Sequence, residues 1–160
     1  MPDCEWDSPA LDGARVRSCR SSGCTLDVSG VAAESLSILD CERCTHLFGG
    51  GVHSGDEPRR CDFIIRCGKQ SGSQGYVLAV VEMKQGGQAK EAIAQIRAGA
   101  AVADRLLGGA GISDFLPIVP HNRVHSMELR IFRKEKISFR GRSKIVILKS
   151  CGFRLKDLLR

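Results

Sequence analysis

No stretch of this 160-residue chain is apolar for long enough to cross a bilayer, and the opening Met1-Pro2-Asp3-Cys4-Glu5-Trp6-Asp7 lacks a basic segment followed by an apolar one. A membrane partner and a secretory leader are therefore not expected, and the chain reads as soluble and cytoplasmic. Internal repeats and long low-complexity tracts are also missing, which argues against solenoids and disordered tails. The clear breaks are Gly49-Gly50-Gly51 and Gly108-Gly109-Ala110-Gly111. With 42% hydrophobic and 26% charged residues, the composition is that of an ordinary globular chain, and residues 1–160 read as a single domain.

A second C-x-x-C is missing as well, and this governs the reading of the eight cysteines at 4, 19, 24, 41, 44, 61, 67 and 151. Without a leader, a disulfide framework is not expected, and buried, inert thiols are favoured. Cys41-Glu42-Arg43-Cys44 with nearby His46 has zinc-ligand spacing that Cys24, Cys61 or His53 would complete. Structural sites normally show two clear ligand pairs, so a structural Zn²⁺ is the disfavoured alternative. His121 and His125 follow or flank Pro120 and read as strand or loop positions rather than a helical metal pair.

What is present points to chemistry at residues 61–84. Cys61-Asp62-Phe63-Ile64-Ile65 and Tyr76-Val77-Leu78-Ala79-Val80-Val81 are aliphatic and β-branched, and the residues between them, Gly68 to Gly75, are polar or turn-forming. A hairpin folded about Gly72 pairs residues whose numbers sum to 144, which sets Asp62 opposite Glu82. Period-two alternation then puts Glu82 and Lys84 on one face and Met83 on the other. Facing carboxylates repel, and buried charges are costly unless paired or bound to a metal. Oxygen ligands from Asp62 and Glu82 suit Mg²⁺ (or Mn²⁺), which takes few protein ligands and keeps several waters. The unbroken apolar run Val77–Val81 marks a central strand covered on both faces, not an exposed edge carrying a solvated charge pair.

An acid on one strand, a hairpin, and E-x-K on the next resembles the core of the PD-(D/E)XK nuclease superfamily over residues 60 to 107, with the motif Asp62 … Glu82-Met83-Lys84. The resemblance implies that Asp62 and Glu82 hold Mg²⁺ and that Lys84 orients or deprotonates the attacking water. It also implies a role for Gln95, matching a helical glutamine of some members. Two positions depart from the family pattern: Cys61 replaces a proline, and Gly99 replaces an aromatic four residues after the glutamine. The implied fold class is α/β, a mixed central sheet with flanking helices of restriction-endonuclease type, carrying here a basic β-rich C-terminal extension.

The helix expected from about Gln88 to Leu107 carries one apolar stripe, Ile93, Ile96, Ala100, Ala103 and Leu107. Its small residues Ala98-Gly99-Ala100-Ala101 permit close backbone approach, to the sheet or across a dimer. Residues 121–160 hold 12 Lys or Arg against 3 Asp or Glu, whereas residues 1–120 hold 12 against 15. Met127–Lys134 and Ile137–Leu148, with a turn at Gly141, read as strands of a basic β extension. Arg130, Arg133, Lys134, Arg140, Arg142 and Lys144 are its candidate phosphate-binding residues. Gly152–Arg160 reads as a short terminal helix docking its leucines. Among the first 60 residues, Glu34, Asp40 and Glu42 all compete to add an acid to the site.

The functional expectation is a metal-dependent nuclease hydrolysing phosphodiester bonds, with DNA favoured over RNA and a homodimer or larger assembly as the partner state. The alternatives are a non-catalytic nucleic-acid- or protein-binding module, zinc-stapled or not, and a subunit active only in a larger complex.

Overall fold

The computed structural model describes residues 5–49, 59–68, 75–84 and 88–159. A six-stranded mixed sheet runs through it in the order β1 (Arg15–Val16), β4 (Leu36–Asp40), β5 (Phe63–Gly68), β6 (Tyr76–Val81), β7 (Ile112–His121), β10 (Ile147–Ser150). The first four strands are antiparallel, while β7 runs parallel to both β6 and β10. The crossover between β6 and β7 is α1 (Ala89–Leu107), as a parallel connection requires. Two small hairpins stand outside this sheet: β2 (Cys19–Ser21) with β3 (Cys24–Leu26), and β8 (Lys136–Phe139) with β9 (Arg142–Ile145).

Side-chain alternation on the central strands divides the core in two. Ile64, Leu78 and Val80 face α1 and the 3-10 turns at Pro9–Ala14 and Cys41–Phe48. Phe63, Ile65, Val77, Ala79 and Val81 face β2, β3 and the C-terminal 3-10 turn Leu155–Leu158, whose Leu155 is fully buried. Burial on both faces is why these strands read as unbroken apolar runs. The β5–β6 ladder runs from Phe63↔Val81 to Gly68↔Tyr76, so partner numbers sum to 144 as the sequence implied. The residues of its turn, 69–74, lie outside the described residues, as do Gly50, Gly51 and His53.

Gly99 explains the small-residue patch on α1. A Cβ there would stand 2.7 Å from Val80 Cγ1 and closer still to Cys61 Sγ. The close approach is thus between helix and sheet of one chain, and the two departures from the family pattern, Cys61 and Gly99, pack against each other. Gly99→Ala is expected to destabilise the protein by about 1–3 kcal/mol through overpacking, outweighing the ~1 kcal/mol gain in helix propensity. Urea unfolding of Gly99→Ala alone and with Cys61→Ala checks this, because removing the sulfur should restore part of the loss.

The C-terminal third differs from expectation in three ways. Ser126–Lys134 forms a helix, α2, in place of a strand. Its N-cap is His125, whose amide donates to Glu128 Oε2 at 3.1 Å, and Glu128 near the start with Arg133 and Lys134 near the end complements the helix dipole. The run Ile145–Leu148 is divided: β9 ends at Ile145, Val146 is buried, and Ile147 begins β10 on the central sheet. The β8–β9 turn does fall at Arg140-Gly141, both at positive φ (48° and 78°). Finally, Cys24 and Cys151 form a disulfide with Cα atoms 5.2 Å apart, correcting the expectation of thiols throughout. The pairing is set by tertiary structure: the Gly152 amide donates to Thr25 O, and the Asp27 amide to Phe153 O, seating the C-terminal segment beside β3.

Candidate active site

Regular pairing of β5 with β6 stops at Phe63↔Val81, and Asp62 and Glu82 are the first residues beyond it. The Asp62 amide still donates to Val81 O at 3.0 Å, and the Glu82 amide donates to Ile118 O of β7 at 3.1 Å. Lys84 bridges to His121 at the end of β7, with its amide donating to Pro120 O at 3.1 Å. Three strands therefore hold the backbone of Asp62, Glu82 and Lys84 at one end of the sheet, while Met83 between them is buried in the opposite core.

The two carboxyls have different surroundings. Asp62 Oδ2 accepts from the Met83 amide at 2.8 Å, and its Oδ1 lies 3.4 Å from the Ser21 hydroxyl at the end of β2. Burial nevertheless raises its pKa above the ordinary value, more than these two donors lower it, and Asp40 and Glu42 raise it further. Glu82 is only 7% exposed. Burial and then the neighbouring Asp62 push its pKa up to about 9, against the lowering pull of Lys84. Its Oε2 has no hydrogen-bond partner among the described residues. In the orientation that satisfies both of its partners, the Gln95 side-chain amide donates to Glu82 Oε1 at 3.0 Å and to Glu91 O at 3.2 Å.

Those facts carry the fit to a divalent cation. A buried Glu82 and a half-buried Asp62, both harder to ionise than in water, and one carboxylate oxygen without a partner among the described residues are what a hard cation relieves. Among the described residues, no group of three or more His, Cys, Asp or Glu side chains is placed to hold a metal ion. Two carboxylates alone match the way Mg²⁺ is bound, with water completing its shell. Asp62 and Glu82 are the residues that could hold it.

Spacing left Glu34, Asp40 and Glu42 open, and position separates them. β4 enters at Leu36, opposite Cys67, and reaches the site end at Asp40, opposite Phe63. Glu34 therefore lies at the far end. Asp40 is engaged, accepting from the Glu42 amide at 3.0 Å and pairing with Arg43 at 3.4 Å. Ser21, which touches Asp62 from a separate hairpin, carried no signal in the sequence.

Among the described residues, the cysteines and His46 form no group of three or more placed to hold a metal ion. Cys24 is consumed in the disulfide, His46 is exposed, and His53 lies outside the described residues. Cys61 instead meets Cys41, with sulfurs 3.5 Å apart, and Cys19, Cys41, Cys44, Cys61 and Cys67 are all free and buried. Burial pushes the Cys67 thiol up to about 12, which makes it unreactive.

The candidate phosphate-binding residues fall into two groups. Arg140 pairs with Asp104 at 2.6 Å and donates to the carbonyls of Gly108 and Ala110, closing the C-terminus of α1. Arg142 donates to Ser113 O, and Lys144 pairs with Asp114 at 2.9 Å. These three are held by the fold itself. Arg130, Arg133 and Lys134 are exposed on α2 and form no ion pair among the described residues. No protein-family model, no curated protein and no solved structure matches this chain.

Proposed function

We propose that the chain is a metal-dependent nuclease of PD-(D/E)XK type, hydrolysing phosphodiester bonds of nucleic acid, DNA in preference to RNA. The observation that carries this reading is the convergence of Asp62, Glu82 and Lys84 at one sheet end, with a buried Glu82 oxygen that has no partner among the described residues. Mg²⁺ or Mn²⁺ held by Asp62 and Glu82 would stabilise charge on the phosphoryl oxygens and lower the pKa of a bound water. Ser21 and the Met83 amide fix the Asp62 carboxylate, and Gln95 fixes that of Glu82. Lys84 orients the attacking water and takes part in moving its proton. Phosphate contacts are assigned to Arg130, Arg133 and Lys134 on α2, which follows directly from the β7 end that holds Lys84.

The test is incubation of wild-type protein and Asp62→Ala with circular DNA, linear DNA and RNA, in Mg²⁺, in Mn²⁺ and in EDTA. Cation-dependent cutting that disappears in Asp62→Ala is the expected result. Salt-sensitive binding without cutting under any cation would instead leave a nucleic-acid-binding module.

A further inference from the structure

Between the first turn of α1 and the exposed side of α2 lies an open groove of about 570 Å³, lined by Ala89, Lys90, Met127 and Ile131 among others. That volume lies within the range of small-ligand pockets, roughly 300–1,000 Å³. Met127 is 76% exposed, unusual for a large apolar side chain that no described neighbour covers. The groove walls are tied together by Glu128, whose Oε1 accepts from the Gln88 amide at 2.7 Å and whose Oε2 accepts from the His125 amide at 3.1 Å. Both helix starts are thereby held by one carboxylate.

Glu91 and Glu128 line the groove together with Lys90, and further cations flank it. On a helix, Met127, Arg130 and Lys134 share one face at spacings of three and four. Lys90 is exposed on the opposite wall, and neighbouring Glu91 pairs with Arg59 at 3.9 Å. Apolar Met127 and Ile131, with Lys90, Arg130 and Lys134 beside them forming no ion pair among the described residues, match a polymer that alternates flat apolar bases with phosphates. The lining acids Glu91 and Glu128 are engaged by Arg59 and by backbone amides. Its place in the chain supports the same occupant, because Gln88 lies four residues beyond Lys84 and α2 begins five residues beyond His121, the bridge partner of Lys84.

We infer that this groove holds an unstacked base of a single nucleic-acid strand, its phosphates lying on Lys90, Arg130 and Lys134. The inference rests on the nuclease reading for its substrate class and names the part of the substrate gripped beside the cutting site. The test measures binding, not cutting: fluorescence anisotropy in EDTA with a labelled oligothymidylate and with an abasic strand of equal length, for wild type and Met127→Ala. Because Met127 is exposed, the variant should fold. The expected result is that Met127→Ala weakens oligothymidylate binding by about fivefold or more and leaves abasic-strand binding unchanged. Equal binding of oligothymidylate by the two proteins overturns the inference, as does an equal loss on both strands. A wild-type dimer that Met127→Ala converts to monomer, with strand binding unchanged, also overturns it and assigns the groove to a second copy of the chain. Cutting with no effect of Met127→Ala removes the groove alone; base-dependent binding without cutting removes the nuclease alone.

Discussion

Lys84→Ala is expected to lower cleavage by about 10²–10⁴-fold, the range general acid–base and charge-stabilising groups contribute, with little change in the fold. The backbone of Lys84 is held by Pro120 and bridged to His121, so its position on the sheet does not depend on the side chain. What the substitution removes is the ammonium that lowers the Glu82 pKa and that, in the proposed mechanism, would orient the attacking water. Lys84→Arg keeps the charge but not the compact ammonium, and should recover only part of the lost rate. Far-ultraviolet circular dichroism and urea unfolding control for the fold, while initial rates of cleavage in Mg²⁺ give the effect. Wild-type rates in Lys84→Ala would remove the lysine from the mechanism.

Glu82→Gln should move activity and stability in opposite directions. On the proposed mechanism cleavage should fall by about 10³-fold, because the ligand proposed for the cation, worth several kcal/mol in the transition state, would be gone. Stability in EDTA rises by an amount that depends on pH. Burial and Asp62 raise the folded-state pKa of Glu82 from its ordinary 4.5 to about 9, so the folded protein binds this proton more tightly than the unfolded chain. Folding stability from this group is therefore fully present below pH 4.5 and is lost as pH rises through the window up to about 9. A glutamine does not titrate, and the variant should gain on the order of 4 kcal/mol over wild type near pH 7–8 and little near pH 4.5. Urea unfolding of both proteins across that range checks the slope. Saturating Mg²⁺ should stabilise wild type and leave Glu82→Gln nearly unmoved. A pH-independent difference between the proteins would show that Glu82 does not carry this burden.

The parts of the fold legible in the sequence were those where one periodicity dominated. Val77–Val81 could be read as a doubly covered strand, its register followed from the turn-forming residues between two apolar runs, and the stripe from Ile93 to Leu107 marked α1. In Met127–Lys134, apolar residues at 127, 129 and 131 imitate strand alternation, while Met127/Ile131 and Leu129/Phe132 satisfy the helical spacing equally well. The deciding signals were charges, Glu128 at the start and Arg133 and Lys134 at the end. Ile145–Leu148 is one apolar run shared by two sheets, and nothing local marks where it divides. Cys24 and Cys151 stand 127 residues apart, a pairing that sequence spacing cannot assign. For the site, the strand-borne acids and lysine could be read because they sit at fixed offsets from paired strands. Ser21 could not, since its contact with Asp62 depends on how a separate hairpin packs.

The Cys24–Cys151 bond also decides how the chain would bear tension. It closes a ring that contains β4 to β10 and α1, and with them Asp62, Glu82, Lys84 and Gln95. If the oxidised protein is pulled by its ends, force passes from β3 across the sulfur bridge to the segment beyond β10 and does not enter the ring. Only the residues before Cys24 and after Cys151 can be drawn out, at roughly 3.3–3.6 Å each. Reduction transfers the load to the β4–β5 and β7–β10 edges, so the same pull would open the sheet that holds the acid pair.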